Sequence, residues 1–192
     1  MNKILVSGLI NLETTLRIDN FPLDYFPVRY PFFGVRTTVS GVGYNVARAL
    51  TILGNTVNLM SLIGQDPASQ LVRYAIKEDN LAGTYIIPQL NQTPQSEILY
   101  DQDGIRQINV DLKDIQEQAY PVGLYESALL GCSLAVLCNI NFSRPFLRRS
   151  KQKGIWVATD VHATDNLADA YNQEFMEAVD ILLMSNERLP SS

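Results

Sequence analysis

The sequence predicts an α/β fold wound on a mostly parallel sheet, with a smaller β layer set against it. Three observations carry this. The apolar run Val57 to Ile63 stands between two stretches with helical spacing, Asn45 to Leu53 and Pro67 to Asn80, and a strand between helices implies parallel pairing. From Leu134 to Met184 the same alternation returns. Between Thr84 and Val110 the pattern instead shows extended runs, with Asp101 to Gly104 as a hairpin signal.

Composition narrows the class. The chain has 192 residues, 46% hydrophobic and 18% charged, enough for one sizeable core or two small ones. A net charge of -5 argues against a nucleic-acid partner, because phosphate binding needs a basic face. The one dense basic cluster, Arg144, Arg148, Arg149, Lys151 and Lys153, reads as the solvated end of a helix. One histidine and no CxxC pair exclude a zinc set, and Cys132 and Cys138 read as buried thiols in a reducing compartment. The apolar start is too short, and too soon followed by Glu13, for a signal peptide, and no run approaches membrane length. The expectation is a cytoplasmic protein with no membrane partner.

The elements follow in order. Lys3 to Val6 is a short apolar strand ending in the turn Ser7-Gly8, and a second extended segment follows in which Asn11 and Glu13, two apart, face the same way. Asn20 to Phe33 carries three prolines and six aromatics, too broken for a helix or a central strand, and reads as a surface excursion. The helix opening at Asn45 places Val46, Ala49, Leu50 and Leu53 on one face and stops at Gly54. Asp66 before Pro67 is an N-cap signal for the next helix, and Gly64 reads as a turn. Tyr85 to Ile87, Ser96 to Tyr100 and Ile105 to Val110 form the antiparallel flap. Leu134 to Asn139, Ile155 to Thr159 and Ile181 to Met184 are strands. Ser143 to Lys153 and Asp165 to Val179 are helical.

In wound sheets ligands sit beyond the carboxyl ends of the strands. Those ends carry Asn11, Glu13, Asn139, Asn141, Asp160, His162, Asn186 and Glu187. Gly41 and Gly43 leave the backbone bare before a helix whose first N–H groups face outward, with Asn45 beside them. The lone His162 reads as structural and stays outside the site. A dinucleotide-binding oxidoreductase needs its glycines directly after the first strand, whereas Gly41 and Gly43 come later and Val46 occupies the third glycine's place.

Gly8, Asn11 and Glu13, the run Ser40 to Ala47, Leu53-Gly54, Ile63 to Asp66, Asp103-Gly104, Asp160 and Asn186-Glu187, taken as an ordered set, resemble the amino-terminal part of the ribokinase and PfkB family of sugar kinases. The resemblance implies a ribokinase-like three-layer αβα sandwich with a small β lid, incomplete at the C-terminus, the lid formed by residues near 14–39 and 84–110. It implies ATP-dependent phosphorylation of a hydroxymethyl group of a sugar or nucleoside, with ATP and Mg2+ as cofactors. Asn11, Glu13, Gly41, Gly43, Asn45 and Asn141 are then the substrate contacts, Asn186 a cofactor contact and Glu187 a metal contact. The lid would exclude water over the sugar, and pairing of two copies through it is a further expectation.

The chain departs from the family pattern in places. Glu13 stands where Asp is common, Ser40 replaces the first of a frequent glycine pair, and Asn141 sits near where ribokinase-like members place an acidic sugar contact. Leu189 occupies the last position of the family's Asn-x-x-Glu motif. The family's catalytic Asp lies in a Gly-Ala-Gly-Asp segment that this sequence does not contain, so no catalytic residue is assigned and the chain alone is expected to be inactive. The alternative is a non-catalytic sugar-binding protein or a kinase remnant.

Overall fold

The computed structural model describes residues 2–187. Strand β1 (Lys3–Ser7) sits inside a six-stranded sheet of order β10-β9-β8-β1-β4-β5. Its neighbours are β4 (Thr56–Gly64) and β8 (Leu134–Leu137), followed outward by β5 (Ile86–Leu90) on one side and by β9 (Trp156–Val161) and β10 (Ile181–Met184) on the other. Every pairing is parallel. Both faces of such a sheet must be covered, and the alternation along β1 shows how. Leu5 joins one apolar cluster with Tyr125, Phe146, Leu147 and Phe175, while Ile4 and Val6 join another with Tyr44, Ala47, Val72 and Ile76.

The second cluster belongs to α1 (Val42–Ile52) and α2 (Pro67–Glu78), the first to α3 (Val122–Leu129), α4 (Phe146–Gln152) and α5 (Ala170–Glu177). The result is the three-layer αβα sandwich expected. Against it stands a four-stranded sheet of order β3-β2-β6-β7, made of β2 (Asn11–Arg17), β3 (Val35–Ser40), β6 (Gln95–Tyr100) and β7 (Arg106–Asp111). In it β2 and β6 run parallel, and the outer pairs are antiparallel. Among the described residues no helix is long and apolar enough to cross a membrane.

Several boundaries differ from expectation for identifiable reasons. β5 pairs with β4 and buries Ile86 and Leu90 in the main core, so the second lid segment begins at Gln95 rather than near Thr84. α1 starts at Val42, three residues before Asn45, because Gly41 at φ 104° turns the chain directly into the helix. The helix expected from Ser143 starts later: the Ser143 hydroxyl bonds Ser7 Oγ at 2.7 Å instead of capping, a single 3-10 turn spans Asn141–Ser143, and α4 begins only at Phe146. The helix expected from Asp165 begins only at Ala170, where Asp169 caps α5 by accepting from Asn172 N. Sequence reasoning assigned no element to α3.

Asp66 caps α2 as expected and does more. Its carboxylate accepts from Ser69 N, Thr93 N and Thr93 Oγ1, tying the end of β4 to the entrance of the small sheet. Residues 18–34 contain no helix or strand, and they carry solvent-facing rings such as Tyr25 (90% exposed) and Phe32 (84%).

Candidate functional site

Strand order reverses at β1. The chain moves from β1 to β4 and β5 on one side, then crosses to β8, β9 and β10 on the other. Two adjacent strands whose connections leave in opposite directions open a crevice at their carboxyl ends. Here that crevice lies between Leu9, just after β1, and Cys138 to Ile140, just after β8, and it holds a cavity of about 490 Å³. The small sheet closes it from above with Asn11, Glu13, Ser96, Ile98, Ile108 and Val110.

The pleat explains this selection. Asn11 and Glu13 share a face of β2, and their cross-strand partners Ser40 and Ser96 also line the cavity. Farther out on the same sheet Ile98 pairs with Ile108, replacing polar groups by an apolar wall. The floor is thus rich in amides and the roof is aliphatic.

The glycines act differently from one another. Gly41 lines the cavity, and a Cβ there would lie 2.5 Å from Leu9 O as well as being strained at its φ. Gly43 is buried beneath, where a Cβ would meet the Gly8 carbonyl carbon at 2.5 Å. Its contribution is the close seating of α1 on the end of β1. Asn45 lines the cavity and donates to Ser40 Oγ at 3.2 Å. Asn141 points elsewhere: its amide donates to Gln116 O and its oxygen accepts from Arg144.

Asn139 takes the place at the cavity that Asn141 does not. It donates to Asn172 Oδ1 on α5, and its own Oδ1 is buried without a hydrogen-bond partner. Asn11 repeats the pattern, donating to Ser96 Oγ at 2.9 Å with its Oδ1 buried and unpartnered. Among the described residues the Glu13 side chain makes no hydrogen bond or ion pair. Buried acceptors without donors are costly, and a cavity that collects them is suited to a ligand rich in hydroxyls.

Behind the cavity, burial pushes the Cys138 thiol well above its ordinary value, and the neighbouring Asp160 carboxylate raises it further. The other carboxylate oxygen of Asp160 is 3.7 Å from His162 Nε2, and His162 reaches the rim of the cavity. Sequence reasoning named Asn139 among the polar strand ends without assigning it to the site, and it missed Asn172, Tyr171 and Gln116. Asn139 had a signal, a polar residue directly after an apolar strand, whereas Asn172 and Tyr171 arrive on a helix remote in sequence.

The cofactor-side expectations fall at the far edge. Asn186 and Glu187 are exposed in the turn after β10, and Glu187 N donates to Ser185 Oγ. The last position of that motif, Leu189, lies outside the described residues.

Comparison with solved structures agrees with the architecture. A microbiome-derived acarbose kinase superposes with a TM-score of 0.84 at 23% identity, covering 100% of this chain and 63% of its own. A putative ribokinase from Agrobacterium tumefaciens gives 0.79 at 15% identity, covering 95% and 59%. A nucleoside kinase from Burkholderia thailandensis in complex with inosine gives 0.76 at 16%, covering 95% and 60%. The chain therefore spans about three fifths of the length of these structures. No curated protein sequence matches it. The family model for pfkB carbohydrate kinases matches residues 1–130, which takes in β1 to β7 and the glycine turn, and on that match the chain belongs to the pfkB family of carbohydrate kinases.

Proposed function

We propose that this chain is the acceptor-binding and lid half of a kinase that phosphorylates a hydroxymethyl group of a sugar or nucleoside. The observation that carries the reading is the convergence of the unpaired Glu13 carboxylate with the orphaned amide oxygens of Asn11 and Asn139 on one cavity. Adjacent hydroxyls need such acceptors, and Glu13 accepts charge-assisted bonds from two of them. Gly41 and Asn45 supply the adjoining edge, while Ile98, Ile108 and Val110 displace water from above. Gly43 supports this edge from below, and Asn141 orients the turn that follows β8.

The donor side is not built by the described residues. Among them no group of three or more His, Cys, Asp or Glu side chains is placed to hold a metal ion, and exposed Asn186 and Glu187 are too few for a nucleotide. ATP and Mg2+ belong to the reading through the family. Binding without turnover, by a sugar-binding protein or a kinase remnant, is the second reading, favoured by the convergence of unpartnered acceptors on one cavity, which serves binding with or without transfer. Residence in the cytoplasm and a dimer formed through the lid complete the proposal. A monomeric mass in light scattering would remove the dimer.

The test is calorimetric titration of the full chain with a panel of hexoses, pentoses and nucleosides, repeated with Glu13→Gln. Glu13 has no partner to lose, so the variant should fold normally and bind about tenfold or more weakly, the scale of one hydrogen bond to a charged group. Unchanged affinity would sink the assignment of Glu13. Product formation with ATP separates the kinase from the binding protein.

A further inference from the structure

A second cavity of about 640 Å³ opens on the outer side of the same wall, and Glu13, Ser40 and Asn45 line both. Across the β2–β3 ladder Glu13 pairs with Thr38, which carries the Glu13 face outward onto the edge strand and into this second space. On the opposite side α2 presents Leu71 (52% exposed) and Tyr74 (66% exposed), three apart and therefore neighbours on one helical face. Nothing in the packing of α2 requires a bare tyrosine there.

Between them stands Arg48. Its Nε is 3.1 Å from Asp79, which also accepts from the Tyr44 hydroxyl. Burial, reinforced by Asp79, pushes the Tyr44 phenol up to about 12, so it remains a donor and Asp79 stays committed to its two partners. The guanidinium is thereby oriented, with its terminal nitrogens making no other bond among the described residues.

We propose that the ligand is a saccharide of two or more units: one ring occupies the inner cavity, and the next rests its face on Tyr74 and Leu71 with its hydroxyls toward Arg48 and Thr38. This rests on the reading of the inner cavity as the sugar site. A pyranose ring has an apolar face and a polar rim, which is the arrangement the outer cavity offers. The rest of the lining sets the hydroxyls of Thr37, Thr38 and Ser40 beside the apolar Leu12 and Val39, a mixed wall that suits the polar rim and apolar face of a saccharide. Glu13 and Asn45, common to both cavities, stand where a glycosidic link would pass.

The experiment is calorimetric titration of the full chain with d-glucose, d-galactose, d-fructose, d-ribose and adenosine, then maltose, lactose and sucrose. At least one disaccharide should bind about tenfold tighter than either of its component sugars, the gain expected of one aromatic stacking contact. Tyr74→Ala should erase that gain while leaving monosaccharide binding and the melting temperature where they were, because the ring is exposed and supports no neighbour. If a monosaccharide or adenosine binds and no disaccharide binds tighter, or if the gain survives Tyr74→Ala, the outer subsite is wrong while the inner site stands. If none of the panel binds, both readings fall together.

Discussion

Gly8 and Gly43 meet backbone to backbone where the first strand ends and the first helix begins. A Cβ on Gly43 would lie 2.5 Å from the Gly8 carbonyl carbon, and one on Gly8 would lie 2.8 Å from Gly43 Cα and 2.7 Å from Cys138 Sγ. None of these neighbours is the free end of a flexible side chain. Gly43→Ala must therefore push α1 off the sheet, and overpacking of this kind costs about 1–3 kcal/mol. Urea denaturation should show the loss, with ligand affinity falling too because Gly41, Val42 and Asn45 move with the helix.

Asp66 joins two structures with one carboxylate. Burial works to raise its pKa, but the bonds from Thr93 and Ser69 outweigh it and hold the group below its ordinary value. The folded protein thus favours the ionised form. Its contribution is present in full above about pH 4, the ordinary carboxylate range, and disappears as pH falls through the lower folded value. Asp66→Ala should cost about 1–2 kcal/mol at neutral pH by loss of the cap alone. The difference between variant and parent should shrink on acidification in melts run across pH, and a constant difference would contradict the assignment.

Arg144 is the fastening of α5. Its guanidinium bonds Glu174 at 3.1 Å and Tyr171 O at 3.0 Å, and it stacks 4.6 Å from the centroids of Tyr171 and Phe175. A planar fork can do all of this and an ammonium cannot. Arg144→Lys should behave like Arg144→Ala, with faster hydrogen exchange over residues 170–177 and weaker ligand binding through misplaced Asn172. Protection retained in the lysine variant would show that charge alone suffices.

The thiols should be silent in the folded protein. Cys132 and Cys138 are buried, and burial pushes both pKa values up, with Asp160 adding to the effect at Cys138. Thiolate is the reactive form. Iodoacetamide at pH 8 should label neither cysteine until denaturant is added, as read by intact mass. Labelling of Cys138 without denaturant would mean that the cavity floor opens.

What could be read in advance depended on how local the signal was. Val57 to Ile63 announces a buried strand by its length, and Asp66-Pro67 announces a helix start by its chemistry, so both are found where expected. Tyr85 to Ile87 is a run of the same kind, yet no local feature tells whether such a strand pairs with the core or with the lid; the partner β4 decides it. α3 was invisible because Pro121 and Gly123 speak against a helix, and the burial of Tyr125, stacked 4.0 Å from Phe146, together with Ala128 and Leu129 holds it. In the site, Asn11 and Glu13 were legible from their spacing on one strand. Asn172 was not, since its arrival opposite Asn139 depends on the seating of α5, which Arg144 fastens from the turn before α4.

The passages between the two sheets are laced to one another. Leu12 N bonds Pro94 O at 3.1 Å, Tyr44 N bonds Leu9 O at 3.3 Å, and Thr93 hangs from Asp66. These bonds pin the small sheet along one line. Asn11 and Ser96 sit next to that line, whereas Ile98, Ile108 and the tip at Gly104 lie progressively farther out along the sheet. The polar groups of the cavity thus lie at the fastened edge, and the aliphatic ones that cover it lie toward the free edge.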